Sequence, residues 1–189
     1  MRTGWIVLAA VLVLLIYVIA IYNRLVRQSN LAREGWSGID VQLKRRSDLV
    51  PNLVETVKAY AAHERGVFEE VAARRASSIA AVDVAGRETA ERALQGALGR
   101  LFAVAEAYPQ LKADKNFLDL QQQLADVEDQ LQLARRYYNG TARNLNITIQ
   151  SFPNTLVAGP LGFREQPFFE LEDRSAAVTP SVTFSGAKS

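Results

Sequence analysis

His63 is the only histidine in the chain, and there is no cysteine. Disulfides, thiolate nucleophiles, iron–sulfur clusters and cysteine-ligated zinc are therefore excluded. His63 lies in "AHERG". A zinc-protease helix needs a second histidine four residues on, so that both imidazoles reach one metal, and position 67 is Val67. A single histidine between alanine and Glu64 reads instead as a surface or half-buried polar residue. Asp126, Glu128 and Asp129 offer carboxylates for acid–base work within one helical turn. Residues two apart on a helix do not face each other, so these three read as a solvated helix face. Gly35 and Gly38 fall inside a helical pattern, not between a strand and a helix, and make no phosphate loop. "NGT" at Asn139 and "NIT" at Asn146 match the glycosylation triplet, but both lie within a helical pattern and read as accidental. No catalytic, metal or cofactor-binding residue is assigned, and no cofactor is expected. The expectation is a protein that is not an enzyme; a hydrolase built on converging carboxylates is the less favoured alternative.

One charged stretch calls for a role. "QLKRRSDLVPNL" sets Lys44, Arg45 and Arg46 ahead of Asp48 and Pro51. Cations in a last helical turn complement the negative end of the helix dipole. Asp48 is a good N-cap, and a proline is tolerated in a first turn, where its missing N–H breaks no bond. The stretch thus reads as stop, turn, start: a helical hairpin. Against this, Trp36, Leu43, Val50, Val57 and Val71 keep a seven-residue step across it. One long helix passing through Pro51 with a kink is the alternative.

The elements follow from how the apolar residues are distributed. They make up 49% of 189 residues, enough for a packed core, while a net charge of +2 is too weak a bias for nucleic acid. Residues 3–23, "TGWIVLAAVLVLLIYVIAIYN", carry no charge. About twenty apolar residues span a bilayer core as a helix. Trp5 and Tyr22, with Tyr17 between them, are candidate membrane-interface anchors, since amphipathic rings favour the headgroup level. A helix would set Trp5 and Tyr22 about 26 Å apart. A cleaved signal peptide is the rival reading, but the apolar run is longer than a signal core and continues past Ala20. Arg2 precedes the span, and Arg24, Arg27 and Arg33 follow it, which places the body on the cytoplasmic side and the N-terminus outside.

Beyond the anchor (1–23), helical spacing takes over across 24–150. The stripes run through Leu25, Ala32, Trp36, Ile39 and Leu43; through Leu49, Leu53, Val57, Ala61, Phe68 and Val71; and through Leu94, Leu98, Leu101, Ala105 and Tyr108, ending at Pro109. The fourth, from Phe117 through Leu131 and Tyr138 to Ile149, is a seam more than thirty residues long, with Asn116 as its expected cap. Helices with one apolar stripe bury it against each other, and short connectors favour antiparallel neighbours. The expected fold is all-α: an N-terminal transmembrane helix, then an antiparallel up-and-down four-helix bundle with helices at about 24–47, 48–80, 87–108 and 114–150. A non-helical tail, 151–189, follows. Its phenylalanines are too many for a disordered tether, so it is expected to dock in part on the bundle, or to offer Phe168 and Phe169 to a partner or a membrane.

Several blocks carry a family resemblance: "GWSGIDVQLKRRSDLVPNLVETVKAYAAHE", "AYPQLKADKNFLDLQQQLADVEDQLQLARRYYN" and "FPNTLVAGPLGFREQPFFE". In this order they resemble the LemA family of bacterial membrane proteins. The resemblance implies a single N-terminal transmembrane helix, a short outside N-terminus and an antiparallel four-helix bundle. It implies no reaction and supplies no catalytic residues.

The expected function is a single-pass, non-enzymatic scaffold or adaptor at the bacterial inner membrane. It would contact lipid through residues 3–23 and organise other membrane proteins or further copies of itself. The alternative is a membrane-remodelling or lipid-surface-binding protein. Lys44, Arg45, Arg46, Phe168 and Phe169 are the candidate interaction residues.

Overall fold

The computed structural model describes residues 2–170. The expectations for 171–189 lie outside the described residues. Six helices follow in order: α1 Arg2–Lys58, α2 Arg65–Ala80, α3 Val84–Glu106, α4 Pro109–Lys112, α5 Lys115–Gln150 and α6 Asn154–Ala158. No strand occurs among the described residues.

Helix α1 joins two environments. Residues 2–20 are exposed without exception, and the first buried side chain is Ile21. From there Leu25, Ala32, Gly35, Ile39, Leu43, Arg46, Val50, Leu53 and Val57 form one inward stripe. α1 is the one helix among the described residues long and apolar enough to cross a membrane.

The helical hairpin expected at Ser47 and Asp48 does not form. α1 runs through Lys44–Pro51 to Lys58, and the chain turns at residues 59–64 instead. The physical reason lies in the hydrogen bonds. Within a helix Pro51 has no N–H to offer the Ser47 carbonyl four residues back. Arg75 of α2 supplies the missing donor, its Nε reaching the Ser47 oxygen at 2.7 Å. The lost intrahelical bond is thereby replaced across the helix interface, and the seven-residue apolar step runs on. Lys44 and Asp48, read as stop and start signals, form an exposed i,i+4 ion pair at 3.0 Å within α1.

α3 begins at Val84 and α5 at Lys115, and a short helix, α6 Asn154–Ala158, lies in the tail expected to be non-helical. Asp83 caps α3 by accepting from the Gly86 N–H at 2.7 Å. Asp114, and not Asn116, caps α5, accepting from the Phe117 N–H at 3.0 Å. The Asp114 carboxylate also accepts from the Tyr60 hydroxyl at 2.9 Å, tying the first turn of the long seam to the residues just beyond α1. The Phe117 N–H, with Tyr60 second, holds Asp114 below the ordinary carboxylate pKa. A depressed folded pKa contributes stability at neutral pH that is lost as pH falls through it. Replacing Asp114 by Asn is expected to flatten the acid limb of stability below the ordinary carboxylate range, read as urea midpoint against pH.

α1 makes its most extensive contacts with α5. Three apolar clusters lie along α1. Val50, Leu53 and Val57 pack with Phe68, Val71, Leu94, Leu101, Phe117 and Leu124. Ile39 and Leu43 pack with Leu131, Tyr138 and Ala142. Ile21 and Leu25 pack with Ala158, and Ile149 lies against them. Rising numbers on α1 thus meet falling numbers on α5. Gly35 marks a close approach: a Cβ there would stand 2.9 Å from the Tyr138 Cα, a backbone atom. Gly35→Ala must push the two helices apart, and is expected to cost about 1–3 kcal/mol by overpacking. The urea midpoint of the full chain in detergent micelles measures this, with Gly66→Ala as a comparison, since nothing lies within 4 Å of a Cβ added at Gly66.

Candidate functional site

Two polar constructions stand out in the body. The first is centred on Arg46. The residue lies on the inward stripe of α1 and is 4% exposed. Its Nη1 donates to Glu91 Oε2 of α3 at 3.3 Å, and its Nη2 pairs with Glu128 Oε2 of α5. Glu91 is fully buried and also accepts from the Ser78 hydroxyl of α2. Gln132 Nε2 donates to the other oxygen of Glu128 at 3.0 Å. One guanidinium therefore joins side chains of α1, α3 and α5 directly, and α2 through Glu91. Burial pulls the Arg46 pKa below its ordinary value, while the charge and hydrogen bond of Glu91 act against that fall.

Arg87 extends the network toward the surface, donating to the Ser78 carbonyl at 2.9 Å and to Asp40 Oδ1 at 3.1 Å. Asp40, Ser47, Ser78 and Arg87 line an open recess of about 310 Å³. The chemistry of this arrangement is that of a charge lock. The two carboxylates that converge, Glu91 and Glu128, are held as acceptors by a guanidinium that stays charged. Among the described residues no three metal-ligating side chains gather. His63 is exposed in the turn between α1 and α2.

The second construction is the tail. Residues 163–170 run without regular secondary structure along α5, where two asparagines hold them. Asn146 donates to the Gln166 carbonyl at 2.9 Å and accepts from the Gln166 N–H at 2.8 Å. Asn139 does the same for Phe169, at 3.0 and 2.9 Å. A side-chain amide presents a donor and an acceptor side by side, so each mimics a neighbouring strand. The spacings match: seven residues of helix advance about 10.5 Å, and three of extended chain about 10 Å. Tyr138 adds a bond from its hydroxyl to the Pro167 carbonyl at 2.7 Å. Phe169 is fully buried with Ile39, Leu43 and Leu131, and its ring meets Trp36 edge-on at 5.5 Å.

The sequence-derived candidates are thus dispersed. Arg46 is an interior residue, not a surface contact, while Lys44 and Arg45 are exposed. Phe169 is core, and Phe168 beside it is exposed. Trp5, Tyr17 and Tyr22 are exposed on α1, with Tyr22 meeting Phe163 edge-on at 5.8 Å. Glu91, Ser78 and the two asparagines were not singled out as partners in the sequence. The asparagines carry a readable signal, since seven residues bring them to one helix face. Glu91 carries a positional signal, three residues before Leu94 and seven before Leu98 on the stripe of α3, set against its residue type, since a glutamate ordinarily faces water.

A family model described as "LemA family" matches residues 35–184. Magnetosome protein MamQ 2 of Paramagnetospirillum magneticum is 27% identical, covering 86% of this chain and 68% of that protein. Magnetosome protein MamQ of Magnetospirillum gryphiswaldense gives the same identity and the same coverage. Protein LemA of Metamycoplasma hominis is 26% identical, covering 80% of this chain and 69% of its own. With the matched region spanning most of the body and an apolar helix ahead of it, the chain belongs to the LemA family and is a membrane-associated protein of that type.

Proposed function

We propose that this protein is a non-enzymatic scaffold or adaptor of the bacterial inner membrane. It is anchored by residues 3–23, with α1, α2, α3 and α5 forming an antiparallel four-helix bundle on the cytoplasmic side. The observation that carries this reading is the unbroken course of α1 from its apolar segment into the core. A body continuous with its anchor is held at one height and one orientation, as a scaffold requires and a freely tethered enzyme does not. Arg24, Arg27 and Arg33 support the cytoplasmic placement. The names of two relatives give a structure, the magnetosome, and no reaction.

The surface for partners is the outward side of α5, where Leu118, Leu133, Tyr137 and Ile147 are exposed. At 100° per residue they fall within a stripe about 100° wide. Photo-crosslinkers at Leu133 and Tyr137 in living cells are expected to capture a small, reproducible set of neighbouring proteins. Recovery of lipid and abundant bystanders alone would overturn the reading. Lys44–Arg46 give little support to a lipid-surface role. Lys44 is paired, Arg46 is buried, and the cluster lies about 33 Å along α1 from Tyr22.

A further inference from the structure

We propose that the turn joining α5, α6 and the tail, residues 152–163, is a second membrane contact. It seats its exposed apolar side chains in the headgroup boundary of the bilayer that α1 crosses. Three independent observations meet there.

The first is an apolar surface that nothing among the described residues covers. Phe152 is 80% exposed, Leu156 66% and Leu161 49%, within ten residues of one another. A soluble surface seldom groups large apolar side chains in this way without an occupant. The turn is held in shape, since buried Asn154 donates to the Thr148 carbonyl at 3.0 Å.

The second observation is position. Ala158 packs on Ile21 and Leu25, and Phe163 meets the ring of Tyr22. The turn therefore sits at the height where the exposed apolar segment of α1 ends and its buried stripe begins. That height is the aqueous boundary of a membrane-spanning helix.

The third is charge. No Asp or Glu occurs from residue 1 to 33, or from 130 to 164. The end of the body near the turn instead carries exposed Arg24, Arg27 and Arg164. A turn rimmed by exposed Arg24, Arg27 and Arg164, against the one carboxylate of exposed Glu165, complements an anionic leaflet better than a second copy of this cationic end or a basic partner. The occupant assigned to the surface is the lipid boundary itself.

The native chain has no cysteine, so single cysteines report on one site each. Nitroxide labels at F152C and L156C are placed in the full chain, reconstituted in bilayers containing phosphatidylglycerol. V82C, at a residue 93% exposed in the connector ahead of α3, is the aqueous control. Collision with oxygen, relative to collision with a water-soluble nickel chelate, is expected to be about fivefold or more higher at 152 and 156 than at 82, the contrast between an apolar boundary and water. A ratio equal to that at 82 would overturn the proposal. Low collision with both reagents would also overturn it, since protein would then cover the turn. The excess is expected to shrink in phosphatidylcholine bilayers, and no change would remove the role given to the arginines.

Discussion

Arg46→Leu is expected to lower the unfolding free energy by about 3–5 kcal/mol, the usual result of stranding one partner of a buried ion pair. Glu91 has no exposure and would keep only the Ser78 hydroxyl. Glu128 is part-exposed and recovers solvent more easily. The converse change, Glu91→Leu, should cost less, because Arg46 keeps Glu128. The double variant Arg46→Leu, Glu91→Leu should recover much of the loss, since an apolar pair of similar volume is often as stable as the ions it replaces. Urea unfolding of the full chain in micelles, followed by far-ultraviolet circular dichroism, measures all three. If the double variant were as unstable as the sum of the singles, the two residues would not be acting as a pair.

The second large effect belongs to the tail. Phe169→Ala removes a fully buried ring from between Trp36, Leu43 and Leu131, at an expected cost of about 3–5 kcal/mol. It should also expose the segment 163–170 to proteolysis, because the ring and the Asn139 amide hold the same residue. Asn139→Ala leaves the Phe169 N–H and carbonyl without their partner, for about 1–3 kcal/mol. The two changes should be strongly non-additive: once the tail is released by one, little remains for the other to lose. Full additivity would mean that ring and backbone dock independently.

The outline of the protein was legible in its residues, and the reasons are specific. Nothing in the stretch from Trp5 to Tyr22 offers a polar face, and the seam from Phe117 to Ile149 keeps its period without a break, so both helices could be read directly. The stretch around Pro51 set two signals against each other. Local chemistry favoured a turn, while the seven-residue step from Trp36 to Val57 favoured continuity. Continuity prevails because Arg75, twenty-four residues on, donates to the carbonyl that Pro51 cannot serve. No local rule contains that bond. The same limit hid the lock at Arg46. Three adjacent cations look alike by type; the register of α1 sets Arg46 seven residues from Ile39 and Leu53, but only the arrangement of α3 and α5 supplies its partners.

The unbroken α1 also has a rotational consequence. An unbroken helix transmits azimuth as well as height, at about 100° and 1.5 Å per residue. One alanine inserted between Val18 and Ile19, below the first buried residue, would swing the body by more than a quarter turn while lifting it by less than the width of an atom. Seven inserted residues would nearly restore the bearing, about 20° short of two full turns, at a height about 10 Å greater. A partner bound side-on in the same membrane would register the first change far more than a ligand arriving from solution would. The helix thus fixes a compass direction for every side chain of α5.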